Sequence, residues 1–157
     1  MKKKSILFVC LGNICRSPAA EAIFLDLINK KGLNDSFIVD SAGTGSWHIG
    51  KKADPRMIIA AQKRGVEILS RARQINAIDF KKFNYIVAMD DSNFENIIDF
   101  KSRLSLSDFT SINKIQNFRS MFEETEVPDP YFGGDEGFDH VLDILEDSVS
   151  GFLKTIC

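Results

Sequence analysis

The sequence predicts an α/β sandwich built on a mostly parallel sheet, and three observations carry the prediction. Short runs rich in β-branched and aromatic residues alternate with segments of helical period; glycines and Asp-Pro or Ser-Pro steps mark the changes; and no internal repeat, low-complexity tract or linker breaks the series. Such alternation is the pattern of parallel strands joined by right-handed helical crossovers. The 157 residues predict one domain, spanning 1–157, large enough to bury a core without disulfide staples.

The first strand is read at "SILFV", Ser5 to Val9, an apolar run halted by Gly12. A helix follows at once. Ser17 is taken as its N-cap and Pro18 as its first residue, where a missing N–H costs nothing. Ala20, Ile23, Phe24, Leu27 and Ile28 make its apolar face, and Gly32 its stop. Phe37 to Thr44 reads as a second strand; Asp54-Pro55 opens a helix to about Arg64, closed by Gly65; Tyr85 to Met89 reads as a third strand. Ser92 and Glu95 have the spacing of a capping box and start another helix. "RLSLSDF", Arg103 to Phe109, is the fourth-strand candidate. Phe138, Val141, Leu142, Leu145, Val149, Phe152 and Leu153 mark a long amphipathic helix that packs back on the sheet.

Hydrophobic residues at 44% and charged residues at 27% are the balance of an ordinary globular chain, neither disordered nor membrane-embedded. The formal net charge of −2 gives no motive for binding nucleic acid or an anionic membrane. Any anion must therefore be met by a local device. The apolar run from Ile6 stops at Gly12-Asn13, no run is long enough to span a bilayer, and a cytoplasmic location is expected. Three cysteines at these spacings make no disulfide framework, and a reducing compartment keeps Cys10 and Cys15 as thiols.

In sheets of this class ligands bind beyond the carboxyl ends of the strands, and "CLGNICRS" is the first strand-to-helix loop. Its two cysteines admit several uses. A structural metal needs about four ligands, and Cys10, Cys15, Cys157, His48 and His140 offer no paired C-x-x-C spacing, so no metal is expected. A thiol redox pair on one short loop is a weightier reading, and burial of Cys10 as a small core residue the plainest. An anion cradle explains more of the residues together. Gly12 and Asn13 can take left-handed conformations, which turn successive N–H groups of Leu11 through Ser17 inward as a nest. The helix N-terminus adds its dipole, and Arg16 adds a planar fork that matches two phosphate oxygens. The same field favours the thiolate of Cys10, expected to be a nucleophile at neutral pH.

On these residues the chain resembles the low-molecular-weight protein tyrosine phosphatases. Their signature is a cysteine, five residues, an arginine and then Ser or Thr, close to the N-terminus, and "DSAGTGSWHIG", "ADPRM", "ARQI", "FNYIVAMDDSN" and "VPDPYFGG" follow in the family's order. The resemblance implies a three-layer sandwich with a four-stranded parallel sheet flanked by helices. It also implies hydrolysis of phosphotyrosine in proteins through a phosphocysteine intermediate, no cofactor, and inhibition by phosphate or other oxyanions held in the loop. Cys10 matches the nucleophile, Arg16 the transition-state clamp, and Ser17 the hydroxyl that eases the sulfur's departure. Asn13 and Ser41 match a polar network that holds the loop in shape. The family completes that network with a histidine where this chain has Ser70. Cys15 is expected to serve as a reversible disulfide guard for Cys10. The protein is expected to act as a monomer.

Expelling a phenoxide calls for an acid. Asp129, between two prolines in "EVPDPYFGG", matches the family's general acid and then its base for the attacking water. Trp47 and Tyr131 match the aromatic walls of its pocket, with His48 beside Trp47; Phe132 stands where animal members commonly carry a second tyrosine. Arsenate reduction on the same fold needs further cysteines, and residues 80–95 hold none. Protein arginine phosphatases typically carry threonine where this loop has Ile14, and isoleucine offers a guanidinium phosphate no hydroxyl. A silent phosphate-binding module or a thiol redox protein would be the readings from other classes.

Overall fold

The computed structural model describes residues 2–104, 110–131 and 133–157. Five α-helices and four strands follow one another among them: β1 (Lys4–Cys10), α1 (Arg16–Lys30), β2 (Phe37–Gly43), α2 (Pro55–Gln62), α3 (Asp79–Lys82), β3 (Tyr85–Ala88), α4 (Asp91–Ser102), β4 (Ser111–Lys114) and α5 (Asp135–Ile156). The four strands form one sheet in the order β2-β1-β3-β4, every pair parallel.

β1 lies in the middle because both of its faces are apolar. Ile6, Phe8 and Cys10 point into one core with residues of α1, α2 and α5, while Leu7 and Val9 point into the other with Phe80 of α3 and Ile97 of α4. The 2.0-residue period of a strand thus divides one run of sequence between two layers. The larger core is aromatic. Phe152 of α5 sets its ring 6.2 Å from Phe8, 6.3 Å from Phe24 and 5.0 Å from Phe118, tilted or edge-on as ring quadrupoles prefer.

The alternation read from the sequence places β1, β2, α2, β3 and α5 within a few residues of their observed bounds. Three expectations need correction. The first helix begins at Arg16, not after a Ser17 cap. Its N-cap is Cys15 and makes no side-chain cap bond, so its first-turn N–H groups remain available to an outside anion. Helix α4 is capped by Asp90, which accepts from Asn93 N at 2.7 Å, and not by a Ser92–Glu95 box. The fourth strand is Ser111–Lys114. Of the expected Arg103–Phe109 segment, Arg103 closes α4 and residues 105–109 lie outside the described residues, as does Phe132. No helix among the described residues is long and apolar enough to cross a membrane.

Candidate active site

Cys10 is the last residue of β1, so its sulfur emerges where the strand gives way to the loop. The loop is pinned from outside by its own carbonyls. Thr44 N donates to Cys10 O and Gly45 N to Leu11 O, both at 2.9 Å, while Asp54 N reaches Ile14 O at 2.8 Å and Ala19 N reaches Cys15 O at 3.2 Å. In a trans peptide the C=O of one residue and the N–H of the next point in opposite directions. Bonding these carbonyls to those partners therefore turns the N–H groups of Leu11, Gly12, Cys15 and Arg16 the other way, to the inner side of the loop. Gly43 makes this possible: a Cβ there would stand 2.7 Å from Leu11 O.

Asn13 is the strained point of the loop, with φ at 57°. Its backbone N–H donates to Cys10 Sγ at 3.2 Å, its Nδ2 to Ser17 Oγ at 2.8 Å, and its Oδ1 accepts from Arg73 N at 2.9 Å. These bonds offset the cost of a left-handed conformation in a residue with a side chain. Ser17 Oγ stands 3.0 Å from Cys10 Sγ. The hydroxyl expected to cap the helix faces the Cys10 sulfur.

Arg16 is 2% exposed, and its guanidinium is held on three sides. Nη1 pairs with Asp90 Oδ2 at 2.5 Å and donates to Val127 O at 3.1 Å, and Nη2 lies 3.5 Å from Asp129 Oδ2. Burial alone would lower its pKa, but Cys10, Asp90 and Asp129 outweigh burial and hold it above its ordinary value. Asp129 is partly exposed, and its Oδ1 accepts from Tyr131 N at 3.1 Å, which closes the Asp-Pro step into a tight turn.

A hollow of about 230 Å³ joins these groups: Cys10, Leu11, Gly12, Ile14, Cys15 and Arg16 line it from the loop, and Trp47, His48, Asp129 and Tyr131 from the other loops. Asn13 and Ser17 stand behind the loop, bracing it. Cys15 is 4% exposed, and burial, with Asp54 and Cys10 adding to it, pushes its thiol far above the ordinary range. It is thus held as a neutral thiol beside the candidate nucleophile.

Ser41 is placed differently from the network expected of it. Its hydroxyl donates to Glu21 Oε1 at 2.6 Å, and Ser70 also hydrogen-bonds Glu21, so among the described residues neither serine bonds Asn13. Burial pushes the Glu21 carboxyl above its usual range, with the Ser41 bond opposing and Asp40 adding. Beyond the loop, Asn13 is held by the main chain of Arg73, whose guanidinium is clamped to Asp79 at 3.0 Å through each of two nitrogens.

Two contributors escaped the sequence. Asp90, which caps α4, also orients Arg16; its position two residues after β3, at the carboxyl edge of the sheet, was the available signal. Arg56 links the loops. It pairs with Asp54 Oδ2 at 2.8 Å, donates to Tyr131 O at 2.9 Å, and stacks 5.6 Å from the Tyr131 ring centroid. No group of three or more His, Cys, Asp or Glu side chains positioned to hold a metal occurs among the described residues.

The comparisons agree with this geometry. The family model described as low molecular weight phosphotyrosine protein phosphatase matches residues 5–157. The low molecular weight phosphotyrosine protein phosphatase of Schizosaccharomyces pombe is 42% identical over 99% of this chain and 98% of its own. Among solved structures, a product-state mimic of a protein tyrosine phosphatase from Entamoeba histolytica superposes with a TM-score of 0.91 at 43% identity, covering 98% of this chain and 96% of that one. A Drosophila arginine phosphatase also superposes with a TM-score of 0.91, at 36% identity and 96% coverage of each chain. Sequence, fold and loop converge: the chain belongs to the low molecular weight phosphotyrosine protein phosphatase family.

Proposed function

We propose that the protein hydrolyses phosphotyrosine in proteins, and small aryl phosphates, with Cys10 as nucleophile, Arg16 as phosphate clamp and Asp129 as general acid and base. One observation carries the reading: Cys10 Sγ, fed by the Asn13 N–H and Ser17 Oγ, faces Arg16 and Asp129 across one hollow. A phosphate dianion there is met by the inward N–H groups, the uncapped helix end and the guanidinium. These donors fix the phosphorus against the sulfur and meet the charge on its equatorial oxygens during transfer.

In the first step the Sγ–P bond forms as the P–O bond to the phenol breaks, and the Asp129 carboxyl gives its proton to the departing oxygen. In the second, the Asp129 carboxylate takes a proton from water, which attacks phosphorus while Cys10 leaves as thiolate. Ser17 Oγ, 3.0 Å from the sulfur, is placed to donate to that leaving thiolate. Cys15 sits as a second thiol at the same site, suited to capture an oxidised Cys10 as a disulfide that a cellular thiol can reopen.

Overall shape does not separate tyrosine from arginine phosphatase, since a structure of each superposes equally well. Ile14 favours tyrosine: it lines the hollow with hydrocarbon where a phosphoguanidinium would need a hydroxyl.

Turnover of aryl phosphates with leaving phenols of differing pKa tests the assignment. Cys10→Ser is expected to abolish turnover. Asp129→Ala should lose about 10²- to 10⁴-fold, most with the poorest leaving groups. Cys15→Ser should keep turnover and lose only recovery after peroxide. Full activity in Cys10→Ser, or a phosphoarginine peptide preferred to its phosphotyrosine counterpart, would overturn the reading.

A further inference from the structure

A second hollow, of about 340 Å³, lies directly beside the first, and Leu11 and Trp47 line both. Trp47 is 67% exposed, and its indole lies over Gly45, where an added Cβ would stand 1.9 Å from Cζ3. Gly45 N in turn is bonded to Leu11 O at 2.9 Å, which ties the indole's seat to the phosphate loop. A large apolar ring held in water by the backbone beneath it is positioned for contact with a ligand, not for the core.

The second hollow has the parts of a peptide subsite. Ile75 and Phe100 give it an apolar floor beside Leu11 and Trp47. Two amide side chains border it. Gln74 is anchored by donating Nε2 to Thr44 O at 3.1 Å, which leaves its carbonyl oxygen with no donor among the described residues, and the Asn96 amide has no hydrogen-bond partner among them. An extended peptide leaving the first hollow needs partners for its own N–H and C=O groups, and such amides supply an acceptor and donors. Asp99 and Arg103, the charged residues at its edge among those described, are paired with each other, so together they present no net charge.

We propose that this hollow receives the residue flanking phosphotyrosine in a peptide substrate, and that it favours an uncharged, apolar side chain there. The inference rests on the phosphatase reading above and names the substrate class for it. An aliphatic side chain gains by leaving water for Ile75, Phe100 and the indole edge, whereas a carboxylate gains nothing from these apolar groups and meets, among the described residues, only an arginine already paired with Asp99.

The test compares kcat/KM for phosphotyrosine peptides carrying Leu, Gly or Asp at each position from two before to two after the phosphotyrosine. At one position the wild type should prefer Leu to Gly by about tenfold, and disfavour Asp further. Asn96→Trp, an exposed position whose new ring fills the hollow, should bring the Leu-to-Gly ratio near one, as should Phe100→Ala. Because the ratio compares two peptides on one enzyme, a change in basal turnover cancels from it. No preference at any position, or a preference unchanged in Asn96→Trp, overturns the subsite. If the wild type hydrolyses no phosphotyrosine peptide at all, the phosphatase reading itself falls; hydrolysis without preference removes the subsite alone.

Discussion

Asp90 holds two appointments, and they can be separated by substitution. One carboxylate oxygen caps α4 through Asn93 N, and the other orients the buried guanidinium of Arg16. Asparagine caps a helix about as well as aspartate but carries no charge. Asp90→Asn and Asp90→Ala should therefore lose similar activity, roughly ten- to hundredfold in kcat/KM, the worth of a charge-assisted bond of about 1.5–3 kcal/mol. Only the alanine variant should also lose the cap, about 1 kcal/mol in thermal unfolding. Full aryl-phosphate turnover in Asp90→Asn would show that Arg16 does not depend on that charge. The sequence made the residues of the loop legible because Cys10 to Ser17 are contiguous and their chemistry is local. It did not disclose Asp90's second partner, 74 positions away in sequence, and it gave Ser17 a cap that its hydroxyl, turned to sulfur, does not make.

The element that carries Asp129 is held by α2. Asp54 N bonds the phosphate loop at Ile14 O, Asp54 carboxylate grips Arg56, and Arg56 donates to Tyr131 O, whose residue's own N–H holds Asp129. Arg56 bonds also hold the Asp54 carboxyl below its usual range. Loosening this chain should misplace the acid without removing it. Arg56→Ala is expected to lower kcat roughly tenfold for poor leaving groups, and much less for good ones, with KM little changed. A uniform loss across leaving groups would show a general structural defect instead. Lysine in its place restores charge but not the fork that reaches Asp54 and Tyr131 together. At this scale the sequence also misjudged β4. "SINK", on a sheet edge with no fully buried position, lacks the apolar run that marked the other three strands.

Across the whole molecule, α5 serves as both core and anchor. Its Asp147 carboxylate accepts from Ser120 N at 2.9 Å, Ser120 Oγ at 2.7 Å and Met121 N at 3.0 Å, fastening the segment that leads to Asp129. Burial by itself would raise its pKa, but these donors hold it below the ordinary value of 3.8. A carboxyl whose folded value lies under its unfolded one contributes stability above the unfolded value, and loses it as pH falls through the folded one. Asp147→Asn should thus unfold with a shallower dependence on pH below about 4, and be about 1–3 kcal/mol less stable at neutral pH. An acid limb identical to wild type in chemical denaturation would remove Asp147 from the account. The fold itself was the most legible feature, since short β-branched and aromatic runs alternate with segments of helical period along the chain. Strand order and the two-core partition of β1 arise only when the segments meet.

The buried setting of Arg16 has a further consequence. An arginine side chain free in water gives up about 2 kcal/mol of rotamer entropy when it is fixed in one pose. Here Asp90 and Val127 O have already frozen it during folding. A phosphate arriving in the hollow finds the fork immobile and aimed, and its binding free energy is not drawn down to order it. The disorder that catalysis would otherwise have to remove at every turnover is removed once, when the chain folds.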